Sequence, residues 1–153
     1  MRWTEEELRA YQDKNRPEPK QTGPTEDDEQ ILLMVWAEYS LAKLPELKLL
    51  FHIPNGGSRH PAEAGKLRAM GVKAGVPDLF LPVPRGIYHG LFIEMKREHG
   101  GHATPEQEAW LEDLAAMGYC CRVCHGFTRA SDIITRYLSL NGTDDLEGSD
   151  PMS

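Results

Sequence analysis

Asp78, Glu94 and Lys96 are the residues of this 153-residue chain whose types and spacing fit a chemical task most directly. They stand in Gly75-Val76-Pro77-Asp78 and in Ile93-Glu94-Met95-Lys96. Side chains alternate along a strand, so Glu94 and Lys96 project from one face while Met95 points to the other. Glu and Lys are depleted in strands, yet here they interrupt the apolar Leu91-Phe92-Ile93. A hairpin closed over Pro84–Gly90 would bring Asp78 to the same sheet surface. Two close carboxylates repel unless a cation holds them together, and all-oxygen ligation suits Mg²⁺ or Mn²⁺. Such an ion polarises a phosphoryl oxygen and lowers the pKa of a bound water. A lysine beside it can orient that water and offset developing charge. The implied chemistry is metal-assisted phosphodiester hydrolysis. Spacing alone is not specific, because Asp after Pro is commonly a turn residue and Glu94 with Lys96 also suits an ion pair on a solvated strand.

The flanking sequence predicts elements able to position these groups. Residues 4–14 suit a short helix, and Arg16–Pro24, with three prolines and a glycine, reads as a linker. Thr25 is an expected N-cap with Glu26, Asp27 and Asp28 in the first turn, where the helix dipole favours acids. That helix is expected to reach about Lys43, and Ile31–Ala37, apolar nearly all round, predicts burial on more than one side. Leu47–Ile53 reads as a strand, Pro54-Asn55-Gly56-Gly57 as a turn, and Pro61–Met70 as a helix ended by Gly71. Strands are expected at Asp78–Val83, Leu91–Arg97 and Tyr119–Val123, with Pro77 opening the first. Helices are expected from Thr104 to Gly118 and over Thr128–Leu140. The resulting order, α-β-α-β-β-α-β-α, is an α/β domain spanning 25–140. Residues 1–24 form an extension, and the acidic segment 141–153 reads as a disordered tail.

Composition narrows the class. Hydrophobic residues make up 40% and charged residues 27%, enough for a packed core and too balanced for wholesale disorder. The longest apolar run has seven residues, against about twenty for a membrane span. No basic start followed by an apolar stretch marks a secretory signal, and three crowded cysteines suit a reducing compartment. A soluble, cytoplasmic, single-domain protein is expected. The net charge of −7 argues against a nucleic-acid partner, yet Phe51–His99 carries seven cations against four carboxylates, a local +3. The remainder carries −10. A basic middle between acidic ends permits an anion-binding surface.

Three runs, Phe51-His52-Ile53-Pro54-Asn55-Gly56-Gly57, Gly71–Asp78 and His89–Lys96, together resemble the VRR-NUC family, a branch of the PD-(D/E)XK nucleases common in phages and prophages. Thr104-Pro105-Glu106-Gln107, Gly118-Tyr119 and Glu26 with Gln30 fit the same pattern, so the likeness covers roughly 25–139. The resemblance implies a restriction-endonuclease-like core with a central mixed sheet flanked by helices. It implies that Asp78, Glu94 and the Met95 carbonyl bind the metal, and that Lys96 assists the attacking water. Glu26 would complete the metal site, with Glu29 one turn along as the alternative. Gln107 would lie near the site, although Thr104-x-x-Gln107 is equally a capping box. Asn55, Gly56 and Gly57 would line the cleft, where glycines let phosphate approach backbone N–H groups. Arg59, Lys66, Arg68 and Lys73 would contact phosphates. Stand-alone members are expected to be homodimers that cleave four-way DNA junctions, whereas fused members act on flaps. No membrane and no small-molecule cofactor is implied.

Two rivals remain open in the sequence. The first keeps the fold as a non-catalytic DNA-binding module; the second keeps the enzyme and changes the substrate to a flap, a nick or single strands. Cys121-Arg122-Val123-Cys124, beside Cys120 and His125, lacks a second pair of ligands for zinc and lies in a strand pattern where a redox motif would open a helix. Buried reduced thiols are expected there.

Overall fold

A computed structural model describes residues 4–15, 22–55 and 60–146. Of the expected linker, residues 16–21 lie outside this description, as do Gly56, Gly57 and Arg59 and the last seven residues.

Helix α1 (Glu5–Lys14) starts at a capping box in which Thr4 and Glu7 satisfy each other's backbone N–H groups, and it buries none of its residues. Helix α2 (Glu26–Tyr39) starts in the same way, with Thr25 and Asp28 as the pair. It ends four residues short of the expected Lys43 because Ser40–Lys43 turns the chain. Burial on more than one side does not hold for α2. Leu33 and Ala37 are buried, but Ile31, Leu32 and Val35 are exposed, because among the described residues only one flank meets the sheet and a neighbouring helix.

The strand expected at Leu47–Ile53 is also corrected. Pro45–Leu49 forms a 3-10 turn, and only β1 (Phe51–His52) is extended. Pro45 presets the turn, and a short apolar run carries no period that separates a strand from a buried turn. Helix α3 (Pro61–Ala69), β2 (Leu79–Leu81), β3 (Leu91–Lys96), α4 (Pro105–Ala116), β4 (Cys120–His125) and α5 (Phe127–Leu138) follow in the expected order.

The sheet runs β1-β2-β3-β4, antiparallel except for β3 with β4, which α4 connects as a parallel crossover. Alternation along β3 and β4 builds two apolar layers. Leu91, Ile93, Met95, Cys120 and Cys124 join α2 and α5 in one layer; Phe92, Cys121 and Val123 join Leu111 of α4 in the other. The three thiols are free and buried. Because Cys121 and Cys124 face opposite layers, they do not form a shared ligand pair. Burial pushes the Cys121 and Cys124 thiols up to about 12, which keeps them protonated and inert.

Residues 141–146 differ from a disordered tail. Leu146 is buried, its carbonyl accepts from Arg122 at 3.0 Å, and Asp145 accepts from the Tyr88 hydroxyl. The Ile87 N–H also donates to Asp144 O at 3.1 Å, so one apolar residue and several hydrogen bonds together dock the acidic stretch.

Candidate active site

The β2–β3 hairpin sets Leu79 opposite Ile93, which continues to Asp78 beside Glu94 and Pro77 beside Met95. Pro77 has no N–H to donate across the pair. The Asp78 side chain takes the position instead, its Oδ2 accepting from the Met95 N–H at 2.7 Å. A residue's N–H and C=O point to the same side of an extended strand, so the Met95 carbonyl projects toward Asp78, and Pro77 offers it no donor. The proline therefore frees a backbone oxygen where the carboxylates gather.

Glu94 is 1% exposed and Lys96 6% exposed, both on the sheet face that α4 covers. Lys96 Nζ lies 3.2 Å from Glu94 Oε1 and 3.7 Å from Oε2 of Glu26, the first residue of α2. One oxygen from each of Glu26, Asp78 and Glu94 falls within 4.8 Å of the others. The expected Glu26 is thus brought to the cluster. Glu29 is not: its Oε2 accepts from the Phe127 N–H at 2.6 Å and so caps α5. The two glutamates stand about 60° apart around the helix, enough to send them to different partners.

Gln107 takes both parts that the sequence left open. Its Oε1 accepts from Thr104 N at 2.8 Å, closing the capping box, while its Nε2 donates to Glu94 Oε1 at 2.6 Å. One amide thereby fixes the start of α4 and one oxygen of the buried carboxylate. The second oxygen, Glu94 Oε2, is buried with no hydrogen-bond partner. A buried polar atom without a partner is costly, and here it faces an all-oxygen cluster with one lysine. That donor set fits a hard divalent cation.

The electrostatics agree. Burial, reinforced by the Asp78 charge, pushes Glu94 up to about 8 despite Lys96. Burial also raises Asp78, opposed by its bond from Met95 and by Lys96, and raises Glu26. Three carboxyls whose environment disfavours ionisation, held together, form a site that a cation would complete.

Outside the cluster, Asn55 donates to Val76 O at 3.3 Å, two residues from Asp78. Lys66, Arg68 and Lys73 are exposed, the first two in the last turn of α3. Sequence reasoning missed His52, whose Nδ1 lies 2.8 Å from the Asp78 carbonyl oxygen. Its place on β1 was legible only as part of an apolar run.

Residues 26–128 match the VRR-NUC domain family. A solved structure titled "VRR_NUC domain protein" is 35% identical in sequence and superposes with a TM-score of 0.69, covering 84% of this chain and all of that one. No curated protein matches the chain. With the family spanning two thirds of its length and the fold in common, the chain belongs to the VRR-NUC domain family, a family of nucleases.

Proposed function

We propose that this chain is a divalent-cation-dependent endonuclease of the PD-(D/E)XK type, acting on structured DNA as a homodimer. The observation that carries the reading is the buried, unpartnered Glu94 Oε2 inside a cluster of three carboxylates and a lysine. Glu26, Asp78, Glu94 and the Met95 carbonyl would hold Mg²⁺ or Mn²⁺, which supplies Lewis-acid polarisation of a phosphoryl oxygen and a more acidic water. Gln107 and Lys96 hold Glu94 in one orientation, and Met95 N–H does the same for Asp78. The Lys96 ammonium is the group placed to orient an attacking water and to offset charge on the phosphate. Asn55, Lys66, Arg68 and Lys73 offer the phosphate contacts; Gly56, Gly57 and Arg59 complete the set by sequence.

A four-way junction is the preferred substrate in this reading. A second copy would supply a symmetric site for the second strand. The outer face of α2 supports the second copy: Ile31, Leu32, Val35 and Tyr39 are exposed within about 100° of helix surface. The cytoplasm of a bacterial host, with the gene carried by a phage or prophage, is the setting proposed.

Cleavage of labelled junction, flap and linear duplex in Mg²⁺, Mn²⁺ or EDTA tests the assignment. Symmetric junction nicking that requires metal is expected. Glu94→Ala is expected to abolish nicking while leaving DNA binding intact, because it removes a ligand and a negative charge together. Preference for the flap would replace the substrate and keep the chemistry. Binding without cleavage by the folded wild-type protein would leave a non-catalytic module.

A further inference from the structure

We infer that the concavity between α3 and the segment 71–76 receives one unstacked nucleotide of the substrate strand, an inference that rests on the nuclease reading above. The hollow measures about 400 Å³, within the size range of small-molecule sites and far too small for a duplex. Its floor is apolar and half-buried, formed by Ala64 and Leu67 one turn apart on α3 and by Val72. Its rim is polar and exposed, formed by Asn55, Arg68 and Lys73. Among the described residues no carboxylate lines it. In a chain of net charge −7 this combination selects an anion with an apolar face, which is what a nucleotide becomes once its base leaves the stack.

One wall of the hollow, the segment 71–76, is tied to its neighbours. Trp110 Nε1 donates to Ala74 O at 3.0 Å, and Asn55 ties Val76 across from β1. Gly75, at φ +86°, lies so close to α4 that a Cβ there would stand 2.8 Å from the Glu106 backbone. The segment is therefore wedged between α4 and the chain after β1, with the exposed Arg68 and Lys73 along the hollow it borders. The rim approaches the chemistry through Asn55, whose amide donates to Val76 O, and Val76 is two steps along the chain from Asp78, a reach of about 7 Å at most. A nucleotide seated here belongs to the strand whose phosphate meets the carboxylates, one or two positions away.

Selectivity follows from the energy of unstacking. Pulling a base out of continuous duplex costs several stacking and pairing interactions, whereas at a branch point or flap that cost is already reduced. A protein of net charge −7 gains little from phosphates alone. The hollow would let it distinguish branched from linear DNA without reading base edges.

The test uses the full chain carrying Glu94→Ala, in Mg²⁺, with junction and flap DNA bearing a single 2-aminopurine at each position within two nucleotides of the branch. Emission is expected to rise on binding at one such position, as it does when the base unstacks. Leu67→Trp, which fills the floor, should remove that rise and lower affinity for branched DNA about tenfold, leaving linear-duplex affinity unchanged. Ala64→Leu, which fills the same floor one turn earlier on α3, provides the same readout should the tryptophan variant fail to fold. Branched DNA bound with no responsive position overturns the inference. So does a folded variant that keeps the full preference for branched DNA. Failure of every DNA to bind would overturn the nuclease reading and this inference with it, whereas wild-type cleavage left unaltered by either substitution would overturn this inference alone.

Discussion

Glu94 is the residue on which the site turns, because the fold holds it where its charged form is disfavoured. Its carboxyl, near 8 in the protein against 4.5 ordinarily, binds a proton in the folded state over a range where the unfolded chain has lost it. Stability without metal therefore falls as pH rises from about 4.5 to about 8 and levels off above. Glu94→Gln, neutral at every pH, should raise the melting temperature in EDTA at pH 8 by about 5 °C and change it little at pH 5. Melts at both pH values check this, and equal shifts would contradict the assigned cause. Cation binding must expel the same proton, so Mn²⁺ affinity measured by calorimetry should increase between pH 6 and pH 8. The neighbouring ammonium belongs to the same scale. Lys96→Ala should slow cleavage about a hundredfold while Mn²⁺ still binds, since the role proposed for the lysine is on water and phosphate and an ammonium is no ligand. Asp78, Glu94 and Lys96 were legible as a group because strand alternation fixes Glu94 and Lys96 on one face. The orphaned Glu94 oxygen was not, because it depends on the depth of burial.

At the scale of elements, two acids one turn apart on α2 serve different neighbours. Glu29 caps α5, so Glu29→Ala should lower stability by about 1–2 kcal/mol and the melting temperature by about 3–6 °C, with cleavage per folded molecule unchanged. Glu26 belongs to the carboxylate cluster, so Glu26→Ala should leave the melting temperature near that of the wild type and abolish cleavage. Melting curves and nicking rates on the two variants should therefore move in opposite columns. The capping box at Thr104 and the helix start at Thr25 were plain in the sequence, since they require only local spacing. Which acid of α2 meets the sheet was not. That choice is set by how the helix crosses β3, a tertiary angle that no local pattern encodes. β1 was misread for a related reason: Leu47 is buried, as a strand reading expects, but it is buried from a 3-10 turn.

At the scale of the whole molecule, Ile31, Leu32, Val35 and Tyr39 leave an exposed apolar side on α2, away from its core face. The same helix carries Glu26 at its first position, so pairing of two copies across Ile31 and Val35 would hold the two cation sites at a fixed separation. Val35→Glu should convert a dimer to a monomer by light scattering. It should also reduce paired nicking of a junction to single nicks while leaving flap or duplex cleavage less affected. A wild-type monomer in solution would contradict the proposed assembly.

The docking of residues 141–146 also bears on where this domain can be trimmed. Composition invites a cut after Leu140, where acidic and small residues begin. Such a cut would remove the carbonyl that one arm of Arg122 uses inside the sheet, and with it the apolar plug Leu146. A guanidinium buried at the centre of β4 tolerates such a loss poorly. The packed domain therefore reaches at least to Leu146, and a shortened protein ending at Leu140 would be expected to misfold or aggregate.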